Sequence, residues 1–113
     1  MSENCIFCKI AKGDIPVKLV YEDEDFIAFH DMHPQAPVHV LIIPKKHFET
    51  IMDVENTELL GKALVAVQKT AIALNLQEEG FRTVVNCREN GGQTVYHLHI
   101  HILGGRFMQW PPG

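Results

Sequence analysis

Residues His97-Leu98-His99-Ile100-His101-Ile102-Leu103 alternate imidazoles with large aliphatic side chains, and no other feature of the chain restricts its folding as strongly. Strict alternation is the two-residue period of a β-strand, so a strand here sends His97, His99 and His101 to one face and Leu98, Ile100 and Ile102 to the other. The aliphatic face has to enter a core. Same-face side chains on a strand stand about 6.5–7 Å apart, so three groups that titrate near neutral pH would line one groove. A strand face turned to water ordinarily carries Thr, Lys, Glu or Gln. Three imidazoles in that row point to chemistry, and the run is the candidate active site.

The bulk properties set the frame for that site. A chain of 113 residues is expected to form one domain spanning 1–113, large enough for a core without staples. With 46% hydrophobic and 21% charged residues and no apolar run of bilayer-spanning length, a membrane protein is not expected. Ten basic residues against fourteen acidic ones give a net charge of -4, and no basic cluster exceeds Lys45-Lys46. Bulk nucleic-acid binding is therefore not expected. The segment Met1-Ser2-Glu3-Asn4 has neither a basic nor a hydrophobic signal region, so the expected location is cytoplasmic and reducing. In that setting the pair in Cys5-Ile6-Phe7-Cys8 reads as a metal or redox element before it reads as a disulfide.

Along the chain, Cys5 to Lys12 fits a short docked helix with Ile6, Phe7 and Ile10 as its apolar side, ended by Gly13-Asp14-Ile15-Pro16. Lys18 to Glu22 and Phe26 to Asp31 read as a hairpin around the acidic turn Asp23-Glu24-Asp25. Two prolines make Asp31 to Pro37 an ordered loop, and the continuous apolar run Val38 to Ile43, closed by Pro44, reads as a central strand. From Val54 to Leu76 the period changes. Leu60, Leu64, Val67, Ala71 and Leu74 recur at helical spacing, with Asp53 or Asn56 as candidate cap and Glu79-Gly80 past the end. Phe81 to Asn86 and Val95 to Leu103 complete five strands. The fold class expected is α+β: a mostly antiparallel five-stranded sheet with one long and one short helix packed on one face.

A neutral imidazole attacks phosphorus well and leaves it well, so one positioned histidine can divide phosphoryl or nucleotidyl transfer into two steps. Its neighbours supply a hydrogen bond that fixes the ring tautomer and a proton donor. His99, flanked on both sides, is the candidate nucleophile. Ahead of it, Gly91-Gly92-Gln93-Thr94 offers backbone N–H groups and a hydroxyl to anionic oxygens.

The run His97 to Leu103 fits the His-φ-His-φ-His-φ-φ signature of the histidine triad family at all seven positions, φ being apolar. The similarity extends to Phe29-His30-Asp31, Pro34-Gln35-Ala36-Pro37, Ile43-Pro44-Lys45-Lys46-His47, Val84-Val85-Asn86, Gly104-Gly105-Arg106 and Trp110-Pro111-Pro112-Gly113. The chain resembles the histidine triad nucleotide-binding branch that hydrolyses nucleoside phosphoramidates. That resemblance implies a homodimer whose sheets join across subunits, and a site for a purine nucleoside monophosphate or its phosphoramidate. It implies attack by His99 on the α-phosphorus, a nucleotidyl-histidine intermediate, and no cofactor for the chemistry. His101 would contact the phosphate, and His39 would hydrogen-bond within the histidine array. Asp31 would accept from the ribose hydroxyls. Phe7, Ile10, Phe29, Met32 and Leu41 would line the base pocket, while Asn86, Gly92, Gln93 and Thr94 would meet the phosphate and leaving group. Trp110 would reach the other subunit's site.

The residues alone leave other roles open. Asp31 and Asn86 at strand ends also suit turns, His39 between Val38 and Val40 also suits a hydrogen-bonded core histidine, and Phe7, Phe29 and Trp110 also suit packing. Cys5, Cys8 and His47 are zinc-ligand types at a common half-site spacing. In some triad relatives the first histidine of the triad closes such a site, which here is His97; the residues thus leave two readings, a structural zinc on Cys5, Cys8, His47 and His97 or a pair of reduced thiols on a short helix, with Cys87 a bystander. Two rivals remain: a catalytic metal held by the alternating histidines, and a nucleotide- or partner-binding module without catalytic function. Dinucleoside polyphosphate hydrolysis and nucleotidyl transfer are further activities within the resemblance.

Overall fold

The computed structural model describes residues 4–113. Its elements run α1 (Ile6–Lys12), β1 (Leu19–Glu22), β2 (Phe26–His30), β3 (Val38–Pro44), a short 3-10 turn (Ile51–Asp53), α2 (Thr57–Ala73), β4 (Phe81–Val84) and β5 (Ile100–Gly104). Among the described residues five strands form one sheet in the order β1-β2-β3-β5-β4, and every neighbouring pair is antiparallel. No helix of the described residues is long and apolar enough to cross a membrane.

β3 is central because both of its faces are covered. Val40 and Ile42 join Phe26, Ala28, Ile100 and Ile102 in one core, against Ala63, Ala66, Val67 and Ala71 of α2. Leu41 and Ile43 join Ile27 and Phe29 in a second core, against Phe7 and Ile10 of α1. The two helices therefore occupy opposite faces of the sheet, not one face as the sequence suggested. Alternate residues of β2 and β3 are apolar in both phases, which is what a strand sandwiched between two layers requires. Truncating a fully buried member such as Ile42 or Ile102 to Ala is expected to cost about 2–5 kcal/mol.

Local chemistry sets the element ends. Cys5 caps α1 by accepting from the amide of Cys8, and Gly13 closes it in the left-handed region at φ 85°. Asn56 Oδ1 accepts from the amides of Glu58 and Leu59 at 2.9 and 3.2 Å, which makes Asn56 the cap of α2. Asp53 instead pairs with Thr50 in a capping box on the 3-10 turn, an element absent from the sequence reading. α2 stops at Ala73, with Asn75 left-handed at φ 58°, short of Gly80.

Two side-chain assignments change. Ile6 is exposed on α1, and Leu64 of α2 is 65% exposed while Ala63, Ala66 and Thr70 are buried. α2 approaches the sheet on its small residues, a closer packing than leucines would permit, and Leu60 and Leu74 are only partly covered. The last strand also begins later than the alternation suggested, at Ile100. His97, Leu98 and His99 lie ahead of it, because Leu98 bonds through its amide to Phe48 O at 2.7 Å instead of continuing the ladder.

Candidate active site

Three of the seven residues in the triple-histidine run are imidazoles with different surroundings, and backbone groups decide which nitrogen of each carries the proton. His99 Nδ1 lies 2.7 Å from the carbonyl oxygen of His97. A carbonyl only accepts, so Nδ1 of His99 holds the hydrogen and Nε2 keeps the lone pair. The amide of Gln35 donates to His39 Nδ1 at 3.0 Å, which puts the hydrogen of His39 on Nε2. That nitrogen is 2.9 Å from His101 Nδ1 and donates to it. His101 then carries its own hydrogen on Nε2, a buried atom with no partner among the described residues. A lone pair on His99 and an N–H on His101 thus stand side by side, with ring centroids 5.0 Å apart.

All three rings are neutral at pH 7. Burial pushes His99 below the usual histidine range against opposing contributions from the His97 carbonyl and Asp31. Burial, then the adjacent His99 and His39, push His101 down to about 4. His39 is lowered by burial, with Asp31 acting the other way. These are the states required of a nucleophile and of a hydrogen-bond donor that is not a cation.

Asp31 connects this row to an open cleft of about 680 Å³ lined by Pro16, Val17, Lys18, His30, Asp31 and Met32. Its Oδ2 is 3.5 Å from His39 Nε2, and its Oδ1 accepts from the amide of His33 at 2.7 Å. The turn-forming role is therefore real, and one oxygen still faces the histidines. Met32 is 85% exposed at the rim. Phe7 stands edge-on to His99 at 5.1 Å and to Phe29 at 5.9 Å, and Ile10, Phe29 and Leu41 pack around it.

The Gly91 to Thr94 turn contributes less than its composition suggests. Gly92 N and Gln93 N bond to Glu89 O and Arg88 O within the loop. The Gln93 side chain is buried and accepts from Arg88 N while donating to Glu49 O and Val95 O. Gln93 is thus a clip between loops, and its amide is not available to a ligand; Thr94 is exposed. Asn86 lies two residues past the end of β4, whose last paired residue, Val84, stands opposite His101. Trp110 is 80% exposed, and the Arg82 guanidinium lies 5.8 Å from its ring.

His97 departs from its neighbours. It is fully buried, and its Nε2 donates to Pro44 O at 2.9 Å. Its Nδ1 lone pair faces Cys5 Sγ at 3.2 Å, Cys8 Sγ at 3.4 Å and His47 Nδ1 at 3.1 Å, while Cys8 Sγ and His47 Nδ1 are 3.2 Å apart. One lone pair cannot satisfy three donors, whereas a cation can satisfy all four groups. The edges of a tetrahedral zinc site with two thiolates and two imidazoles are on the order of 3.3–3.8 Å, close to these separations. The carbonyl behind His97 is the usual orienting partner of a metal-bound imidazole. Both nitrogens of His97 thus face protein groups, Nε2 the Pro44 carbonyl and Nδ1 the Cys5, Cys8 and His47 cluster. Asp31, His39 and His101 also cluster, but the Gln35 amide keeps Nε2 of His39 protonated, and a protonated nitrogen does not ligate.

Sequence reasoning did not find the groups that set these tautomers. The Gln35 amide and the carbonyls of His97 and Pro44 are backbone atoms, carried by every residue type, and leave no compositional signal. Pro16, Val17 and Lys18 were also missed as cleft walls.

A family model for the HIT domain matches residues 12–108. An uncharacterized HIT-like protein of Synechococcus elongatus is 51% identical over 115 aligned positions, spanning 100% of both chains. The solved HIT family hydrolase of Legionella pneumophila superposes with a TM-score of 0.92 at 55% identity, covering 97% of this chain and 100% of that one. The histidine triad nucleotide-binding protein of Candida albicans superposes with a TM-score of 0.82 at 35% identity, covering 88% of this chain and 73% of that one.

Proposed function

The chain belongs to the HIT domain family, and within it we propose a hydrolase that cleaves the P–N bond of purine nucleoside 5'-phosphoramidates. The observation that carries this reading is the pairing of an unprotonated Nε2 on His99 with a protonated, unpartnered Nε2 on His101. A nucleophile and a donor to a phosphoryl oxygen then stand on neighbouring rings, with centroids 5.0 Å apart. The names of the Legionella hydrolase and the Candida nucleotide-binding protein agree with it.

In the proposed reaction His99 Nε2 attacks the α-phosphorus, the P–N bond breaks, and the amine departs as its nitrogen takes up a proton from solvent, which the attacking water of the second step gives back. His101 Nε2–H donates to a phosphoryl oxygen as charge builds there. Water then attacks the nucleotidyl-histidine, and the P–N bond to His99 breaks with its electron pair returning to the ring. The nucleoside is placed at the cleft, with its ribose at Asp31 and its base beside Met32, while Phe7, Ile10, Phe29 and Leu41, expected against the base, lie buried in the core behind it; Asn86 and Thr94 serve the phosphate end. Cys5, Cys8, His47 and His97 would hold zinc, whose role is structural because four protein ligands leave no open position.

The active form is proposed to be a homodimer. Leu64, Val65 and Ile72 expose apolar surface on α2, and β4 ends the sheet with an edge that pairs with no strand among the described residues. Both are features that a second copy would cover. Incubation with adenosine 5'-phosphoramidate tests the activity: wild type should release ammonia and AMP and yield a trapped nucleotidyl-enzyme, and His99→Ala should do neither. Equal rates for the two proteins would remove His99 as nucleophile. An inactive wild type that still binds AMP would favour the non-catalytic binding module.

A further inference from the structure

We propose that Arg106 is a positioning residue for this reaction: through the backbone of Gln35, held at its carbonyl and donating at its amide, and the ring of His39, it keeps the hydrogen of His101 on Nε2. The inference rests on the reading of His101 as the donor to phosphate. Arg106 lies just past β5, where its Nη2 donates to Gln35 O at 3.1 Å across 71 positions of sequence. Its Nη1 also donates to Phe107 O at 3.2 Å, which aims the guanidinium along the loop. The neighbouring Gly105, at φ 88°, brings the chain so close that a Cβ there would stand 2.8 Å from Pro37 Cβ. Two consecutive residues therefore press one end of the sheet onto the Pro34–Pro37 loop.

What the loop holds in turn is a single N–H. A neutral imidazole has one hydrogen and one lone pair, so the Gln35 amide at His39 Nδ1 forces the hydrogen onto Nε2. If the loop drifts and that donor is lost, His39 is released to its other tautomer, with a lone pair at Nε2. The bond to His101 then persists only if His101 donates from Nδ1, which strips the hydrogen from its Nε2. Two lone pairs, on His99 and His101, would then face an anionic phosphoryl group. A surface arginine thus bears on a buried tautomer through three hydrogen bonds of 3.1, 3.0 and 2.9 Å.

The test compares wild type, Arg106→Ala and Arg106→Lys, the last keeping one donor at the end of a long side chain. Direct removal of a preorganised donor to developing charge costs about 10²–10³ in kcat, so its indirect disordering in Arg106→Ala should lower kcat about ten- to hundredfold with KM within about threefold. Arg106→Lys should recover most of the loss. The readout that a merely structural role would not move is the nitrogen-15 spectrum of the His101 ring. Wild type should show a protonated Nε2, and Arg106→Ala a population protonated at Nδ1, with both proteins equally folded by circular dichroism. An unchanged tautomer, or an unchanged kcat, in Arg106→Ala would overturn the proposal. If wild type has no phosphoramidase activity the proposed function falls instead, and the tautomer comparison alone then decides whether Arg106 controls His101.

Discussion

His39 Nε2 lies 2.9 Å from His101 Nδ1, and the proton between the two rings belongs to His39 because the Gln35 amide occupies its other nitrogen. This one assignment orders the site. It leaves His101 with an N–H at Nε2, while His97 O leaves His99 with a lone pair at Nε2, the two states that the proposed reaction requires. Nucleophile and donor are chemically identical side chains, distinguished by which backbone group each pair of nitrogens meets.

Replacing His39 with Phe, similar in shape but without ring nitrogens, should lower kcat on adenosine 5'-phosphoramidate by about tenfold to a hundredfold and change AMP affinity by less than about threefold. Steady-state kinetics together with calorimetry of AMP binding checks this. A loss confined to KM would mean that His39 shapes the pocket and not the tautomer of His101.

The Cys5, Cys8, His47 and His97 cluster should carry about one zinc ion per chain in protein purified without chelator, measured by plasma emission spectrometry. A ligand at a hundred times its dissociation constant stabilises by about 2.7 kcal/mol, which for a chain of this size is on the order of ten degrees in melting temperature. Cys8→Ser, or dialysis against a strong chelator, should therefore lower the melting temperature by about that amount. Protein that elutes metal-free with an unchanged melting temperature would refute the metal site.

Acid should weaken the fold through His101. Its folded value of about 4 lies below the ordinary histidine value of 6.5, so between those limits the unfolded chain binds more protons than the native one. Stability then rises with pH through this window and is lost as pH falls from about 6.5 toward 4. Urea midpoints at pH 7, 6 and 5 should decline in that order, and His101→Asn should decline less steeply than wild type. Parallel slopes for the two proteins would show that His101 is not responsible.

A homodimer should elute in light scattering at twice the 12.8 kDa chain mass. Ile72, 56% exposed on α2, is the place to break it: Ile72→Glu sets two like charges against each other in a symmetric contact and should yield monomers at micromolar concentration. A wild type that is monomeric at that concentration contradicts the assembly.

Much of the architecture was readable in the residues because side-chain periodicity has a direct geometric meaning. The alternation around His99, the apolar run of β3 and the helical spacing after Asn56 each identify an element, and Cys5, Cys8 and His47 stand out as metal-ligand types, with His97 joined to them by the family resemblance. Boundaries were less readable. β5 begins at Ile100 because the Leu98 amide bonds to Phe48 O, a contact between segments that no local pattern records. The orientation of α2 was misjudged for a related reason: Leu64 has the stronger individual preference for burial, but Ala63, Ala66 and Thr70 permit the closer approach to the sheet.

The sequence by itself determined which chemistry this protein can contain: a row of alternating imidazoles, a Cys-x-x-Cys pair with histidines in the same chain, and apolar runs that supply its cores. Only the tertiary structure decided how three equivalent imidazoles divide the work. Their difference lies in where each proton rests, and that is set by the His97 and Pro44 carbonyls and the Gln35 amide. Those groups are the same in every residue type, so their effect depends on position in space alone, and position in space is what folding supplies.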